Sequence, residues 1–180
     1  MDGVRGSEVR RILLIGFMAS GKTTVGRAVA QRLGWEFLDF DAEIERRVGT
    51  SVAEIFAARG EAAFREHEAR IGNELLARHR VVLASGGGWP MVPGRMEALD
   101  AATLSVWLQV DVATALERAA RDGDTRPLLR GPDPESAVRA LLAAREPSYA
   151  RARLHLDASS ATAEDLARAI ARFAAVPPTG

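Results

Sequence analysis

The apolar run Arg11-Ile12-Leu13-Leu14-Ile15 passes without a break into Gly16-Phe17-Met18-Ala19-Ser20-Gly21-Lys22-Thr23, and that junction leaves few folds open. The octet has the spacing G-x4-G-K-[ST] of a P-loop. Its glycines let backbone N–H groups approach phosphate oxygens, its lysine reaches the terminal phosphates, and its last hydroxyl can ligate magnesium. The apolar run predicts a strand, and the segment from Thr23 to about Leu33 predicts a helix whose positive end points at the same anion. Ala19, Ser20, Gly21, Lys22, Thr23 and Thr24 are therefore expected to hold a nucleoside triphosphate, with Thr23 on the metal.

The chain has 180 residues and is 47% hydrophobic, enough for one domain over 1–180 with a substantial core and too little to expect two. Lys plus Arg equals Asp plus Glu at 24 each, so no net field draws nucleic acid or an anionic membrane, and neither partner is expected. The absence of cysteine removes disulfide frameworks, thiolate catalysis and cysteine-ligated zinc. With no apolar signal core at the N-terminus and no long apolar segment, a cytoplasmic protein is expected.

Further short apolar runs occur at Glu36-Phe37-Leu38, Val81-Val82-Leu83-Ala84, Leu104-Ser105-Val106-Trp107-Leu108 and Leu154-His155-Leu156. With the first they predict five parallel strands, the longer ones buried on both faces, in a three-layer α/β/α fold. Helices are expected at 22–33, 41–48, 51–58, 61–79, 93–100, 111–121, 134–149 and 162–174. Ser51 and Thr162 should cap their helices, each with an acidic residue three positions on. In an open parallel sheet the ligand crevice lies beyond the C-terminal strand ends, where the P-loop, Asp39-Phe40-Asp41 and Gly86-Gly87-Gly88 are all expected. The stretch from Arg121 to Pro134, rich in Gly, Pro, Asp and Arg, reads as a flap.

Phosphoryl transfer needs one carboxylate to order the waters of a metal and another to orient or deprotonate the attacking hydroxyl. Asp39 and Asp41, alternating at a strand end, are candidates for the two roles; on its own, Asp41 also reads as a helix cap. Arg65, in Phe64-Arg65-Glu66-His67-Glu68, and Arg145, in Arg145-Glu146-Pro147-Ser148-Tyr149, each read alone as a solvated helix arginine. Brought together, they could clamp a carboxylate. Three successive glycines are better explained by close backbone approach to a ligand than by a turn. Arg126 in the flap could close over the phosphates or be a linker arginine. His67, His79 and His155 show no ligand spacing, and Trp89, directly after the glycines, could line the pocket.

In this order and spacing the motifs resemble the shikimate kinases, within the nucleoside monophosphate kinase-like P-loop folds, across about residues 10–172. The resemblance rests on Gly16 to Thr23, Asp39-x-Asp41, Phe64-Arg65-x-x-Glu68, the glycine triplet, Arg126-Pro127-Leu128 and Arg145-x-Pro147-x-Tyr149. It implies transfer of the ATP γ-phosphate to the 3-hydroxyl of shikimate, with Mg2+, in aromatic amino-acid biosynthesis, by a chain expected to work as a monomer. Catalysis would fall to Lys22, Asp41 and Arg126, with Arg126 also on the nucleotide. Shikimate would be bound by Asp41, Arg65, Gly87, Gly88 and Arg145, with Arg65 and Arg145 on its carboxylate. Asp39 would act through metal-bound water, Phe56 and Phe64 would line the pocket, and Glu68 would support Arg65. Within a core of about 10–174, residues 41–70 would form the substrate-binding subdomain and 122–134 the lid.

The chain departs from the family pattern in three places. Ala19 stands where glycine is frequent, Trp89 follows the triplet in place of a small residue, and Ser159-Ser160-Ala161 replaces a basic residue after the last strand. The alternatives are a gluconate kinase-like enzyme and a catalytically silent nucleotide-binding module.

Overall fold

Successive side chains of a strand face opposite sides of a sheet, so a strand apolar at every position must be covered on both sides. That is the environment of Ile12, Leu13, Leu14 and Ile15, all fully buried. The computed structural model describes residues 8–121, 129 and 131–175. Within these, β1 (Arg11–Ile15), β2 (Glu36–Asp39), β3 (Val81–Ala84), β4 (Thr103–Gln109) and β5 (Leu154–Asp157) form a parallel sheet ordered β2-β3-β1-β4-β5. Leu13 stands beside Leu83 on one flank and Ser105 on the other.

Among the described residues, six α-helices cover the two faces: α1 (Lys22–Leu33), α2 (Phe40–Val48), α3 (Val52–Leu76), α4 (Val112–Arg121), α5 (Pro134–Tyr149) and α6 (Ala163–Ala175). Ile12, Leu14, Val82 and Val106 pack against Val25 and Val29 of α1 and Leu166 and Ile170 of α6. On the other face, Leu13, Ile15, Leu83 and Trp107 meet Phe40 and Ile44 of α2, Ile71 and Leu75 of α3, and Val138 and Tyr149 of α5. The three-layer α/β/α architecture expected from the sequence is the one observed.

Local chemistry sets the helix starts. The Ser51 hydroxyl accepts the Glu54 N–H while the Glu54 carboxylate accepts the Ser51 N–H, a complete capping box. Thr162 Oγ1 accepts the Asp165 N–H at 3.1 Å, and Asp133 accepts the Ser136 N–H ahead of Pro134. One expectation needs correction. No α-helix forms over 93–100; after a short 3-10 turn at Trp89–Met91 the chain continues in turns, because Pro90 and Pro93 remove backbone donors and Gly94 adopts φ 84°. The break expected between 51–58 and 61–79 is observed: within α3 Gly60 leaves helical geometry, with φ 76° and ψ 178°, and the second stretch ends at Leu76.

Gly72 of α3 lets the helix lie directly on the aromatic pair beneath it. A Cβ there would fall 2.9 Å from Phe40 Cε2 and 3.2 Å from Trp89 Nε1, and both rings are buried. Gly72→Val is expected to destabilise the fold by about 2 kcal/mol through overpacking. A thermal melt should show Tm lowered by about 5 °C; an unchanged Tm would mean that the rings yield freely.

Candidate active site

The chain leaves β1 toward β2 on one side of the sheet and leaves β3 toward β4 on the other, so a crevice opens above the C-terminal end of β1. A cavity of about 1110 Å³ lies there. Its lining includes Ala19, Gly21, Lys22, Thr23 and Thr24 at one end and Asp41, Arg65, Gly87, Gly88 and Arg145 at the other. Asp39, Phe56, Phe64 and Glu68 complete the residues that the sequence singles out. Arg126 and residues 122–128 of the expected lid lie outside the described residues.

The donor end is built by backbone geometry. Gly16, with φ 148°, would bring a Cβ within 2.7 Å of the Leu108 carbonyl, so only glycine passes β4 here. Ala19 holds φ 55°, the left-handed region that favours glycine; the loop keeps its turn with alanine at a cost of about 1–2 kcal/mol. Lys22 Nζ donates to the Gly16 and Phe17 carbonyls at 2.9 and 2.8 Å, which folds its charge over the loop. Ser20 is buried beneath the loop rather than in the cavity wall. Thr23 Oγ1 donates to Asp39 Oδ2 at 3.1 Å, while Asp39 Oδ1 accepts the Asp41 and Ala42 N–H groups. Asp39 is thus the N-cap of α2 and presents its other oxygen to the P-loop threonine. The alternation expected of Asp39 and Asp41 along a strand is not what separates them: Asp39 ends β2 and Asp41 lies in the first turn of α2.

A hydroxyl and a carboxylate placed together, both hard oxygen donors, suit magnesium, which keeps several waters and takes few protein ligands. Among the described residues no group of three or more His, Cys, Asp or Glu forms a protein cage for a metal.

The acceptor end is organised by the three glycines, each against a different functional group. A Cβ on Gly86 would fall 3.1 Å from Glu68 Oε1 and 3.3 Å from Asp41 Oδ1. One on Gly87 would fall 3.1 Å from Arg145 Nη1, and one on Gly88 2.7 Å from Arg65 Nη2. Any side chain on Gly88 would displace the Arg65 guanidinium, and one on Gly86 or Gly87 would crowd the groups beside it. The two arginines, from α3 and α5, flank successive glycines, and the convergence that sequence could not establish is present.

Each arginine is held from behind. Arg65 Nη1 donates to Glu68 Oε2 at 2.8 Å, and its Nε and Nη2 donate to the exposed Glu61. Burial opposes the Arg65 charge, but Glu68 and Glu61 more than compensate and hold its pKa above the ordinary value. Arg145 lies over the Phe17 ring, 5.7 Å from its centroid. Tyr149, one turn further along α5, is buried and donates from its hydroxyl to the Gly87 carbonyl at 2.7 Å. Burial pushes the phenol pKa up, with Arg145 opposing only in part, so the hydroxyl stays a donor.

Sequence reasoning missed several contributors. The Tyr149 tether has no signal beyond its place in the Arg145-x-Pro147-x-Tyr149 motif. Arg118 of α4 donates to the Ala158 carbonyl at 2.7 Å and approaches the Ala19 and Ser159 carbonyls, so a cation reaches the loop after β5 although Ser159-Ser160 supplies none. Glu45 of α2 accepts the Val52 N–H at 2.8 Å and ties the start of α3 to α2. Trp89, expected as a possible pocket wall, faces away from the site. Its indole packs edge-on against Phe40, with centroids 5.9 Å apart, and lines a second cavity of about 530 Å³ beside Asn73 and Arg95. Filling the core from behind the triplet, it leaves the acceptor space to Phe56 and Phe64, whose centroids lie 4.8 Å apart.

A sequence model of the family described as shikimate kinase matches residues 18–175 of this chain. The shikimate kinase of Moorella thermoacetica is 46% identical over 159 residues, spanning 88% of this chain and 91% of that protein. Among solved structures, the shikimate kinase from Acinetobacter baumannii in complex with shikimate aligns with a TM-score of 0.84 at 41% identity, over 92% of each chain. A gluconokinase from Sinorhizobium meliloti, 19% identical with a TM-score of 0.61, shares the fold alone.

Proposed function

This chain belongs to the shikimate kinase family, and from that premise we infer that it transfers the γ-phosphate of ATP to the 3-hydroxyl of shikimate, releasing ADP and shikimate 3-phosphate. The observation that carries the substrate is the pair of guanidinium groups, Arg65 and Arg145, converging on Gly88 and Gly87 at the cavity end opposite the P-loop. Two cations at one end of a cavity, with a carboxylate beside them, suit a small acceptor bearing both a carboxylate and hydroxyls.

The chain's own groups divide the work. Backbone N–H groups around Ala19, Ser20 and Gly21, with the start of α1 at Lys22, Thr23 and Thr24, receive the phosphates. Lys22 exchanges its loop carbonyls for phosphate oxygens and neutralises charge as the phosphoryl group moves. Thr23 and Asp39 are the residues that would hold Mg2+, Asp39 through water; the ion supplies charge neutralisation on the phosphates. Arg65, Arg145 and the Gly87-Gly88 backbone fix the acceptor, and Asp41 orients its attacking hydroxyl or accepts the proton. Catalysis then rests on in-line positioning and electrostatics, without a covalent intermediate. Arg126 is assigned to the transferred phosphate by resemblance, as is the lid over 122–134 that carries it. The substrate-binding subdomain proposed over 41–70 is supported by Asp41, Phe56, Phe64, Arg65 and Glu68 all lining one cavity. A monomer as the working unit and a cytoplasmic setting belong to the same reading. No helix among the described residues is long and apolar enough to cross a membrane.

ADP formation measured with Mg-ATP and shikimate, quinate or gluconate tests the assignment. Shikimate is expected to stimulate turnover far more than the others. Turnover with gluconate and none with shikimate would refute the substrate.

A further inference from the structure

Glu68 is fully buried, and a single oxygen of its carboxylate serves two cations. Oε2 accepts Arg65 Nη1 at 2.8 Å from the acceptor side and Arg95 Nη1 at 2.7 Å from the rear. Arg95 comes from the turn segment after the glycine triplet, where a helix is expected from sequence and does not form. It is itself largely buried, its side chain 14% exposed. Its guanidinium lies over the Trp89 ring at 5.4 Å from the centroid, and its Nη1 approaches the Trp89 carbonyl at 3.4 Å. Stacking and hydrogen bonding together fix the direction from which it meets Glu68.

The charge count gives this arrangement a purpose. With Glu68 alone behind it, Arg65 would belong to a neutral pair and offer a substrate carboxylate little net attraction. With Arg95, the group of two guanidinium ions and one carboxylate keeps a net positive charge, and of the two guanidinium ions Arg65 is the one that lines the acceptor cavity. Glu61, the other partner of Arg65, is 67% exposed and is screened by solvent.

We propose that Arg95 is a positioning residue for the acceptor clamp: it takes up the buried charge of Glu68, so that Arg65 retains both the charge and the orientation to hold a carboxylate. The proposal rests on the reading of the cavity as a shikimate site. Arg95 touches neither substrate, and its effect passes entirely through Glu68 and Arg65.

Steady-state kinetics of R95M, R95K and the pair R65A and R65A/R95M test it. R95M is expected to raise the KM for shikimate about tenfold and to leave that for ATP within about twofold. R95K, which restores the charge without the planar fork, should recover most of the loss. In the R65A background the second substitution should change shikimate KM no further, since the residue through which Arg95 acts is gone. Should R95M not fold, R95Q, which keeps a donor toward Glu68 and drops the charge, is read by the same ratio of KM values. An unchanged shikimate KM, equal rises for both substrates, or a full additional loss on the R65A background would overturn the proposal while shikimate turnover by the native chain stands. A native chain inactive with shikimate overturns the substrate reading first, and this inference with it.

Discussion

Asp41→Asn is expected to lower kcat by roughly 10²–10⁴-fold while leaving ATP affinity within about twofold of the native value. The substitution keeps the size and shape of the side chain and removes its charge and its capacity to take a proton. Asp41 lies in the first turn of α2, its Oδ1 beside Gly86, whereas the carboxylate bonded to the P-loop threonine is Asp39, two residues earlier. That division predicts a selective defect: nucleotide binding depends on the Asp39 side and turnover on the Asp41 side. ATP titration and single-turnover rates separate the two. Unaltered turnover would remove Asp41 from the chemistry, and equal damage to ATP binding would mean that the two carboxylates do not act separately.

Arg65→Ala and Arg145→Ala carry the second large effect. A charge-assisted hydrogen bond to a carboxylate is worth about 1.5–3 kcal/mol, so each truncation should weaken shikimate binding by about 10–150-fold and ATP binding hardly at all. Arg65 stays cationic throughout the working range because Glu68 and Glu61 outweigh its burial, so its contribution should show no titration near neutral pH. Binding of both ligands is measurable by calorimetry. Parallel losses for shikimate and ATP would sink the clamp.

What sequence made legible was what depends on backbone chemistry and local spacing. The P-loop, the five strands and the Ser51 capping box are written in contiguous residues, because each uses neighbours along the chain. The glycine triplet was readable as a place of close approach, though not what approaches: the partners of Gly86, Gly87 and Gly88 come from α2, α3 and α5. Apolar periodicity reports that a residue is buried and not on which side of a loop, so Trp89 could be placed next to the glycines but not behind them. Arg95 was illegible for a related reason. Its segment has the composition of a helix, whereas Pro90, Pro93 and the left-handed Gly94 direct it into turns that reach Glu68. Arg118 and Tyr149 share that limit, since each acts on a carbonyl far away in sequence.

The break in α3 bears on how this sequence can drift. Gly60 is exposed, and a Cβ there would meet nothing within 4 Å, so a tolerance map drawn from burial and contacts would leave the position open to most substitutions. Its φ of 76° with ψ of 178° lies in a region reached essentially by glycine alone, and that closes it. A mutational scan should therefore find an isolated intolerant position on a permissive surface, with the constraint set by the path of the chain between Phe56 and Arg65 and by no neighbour at all.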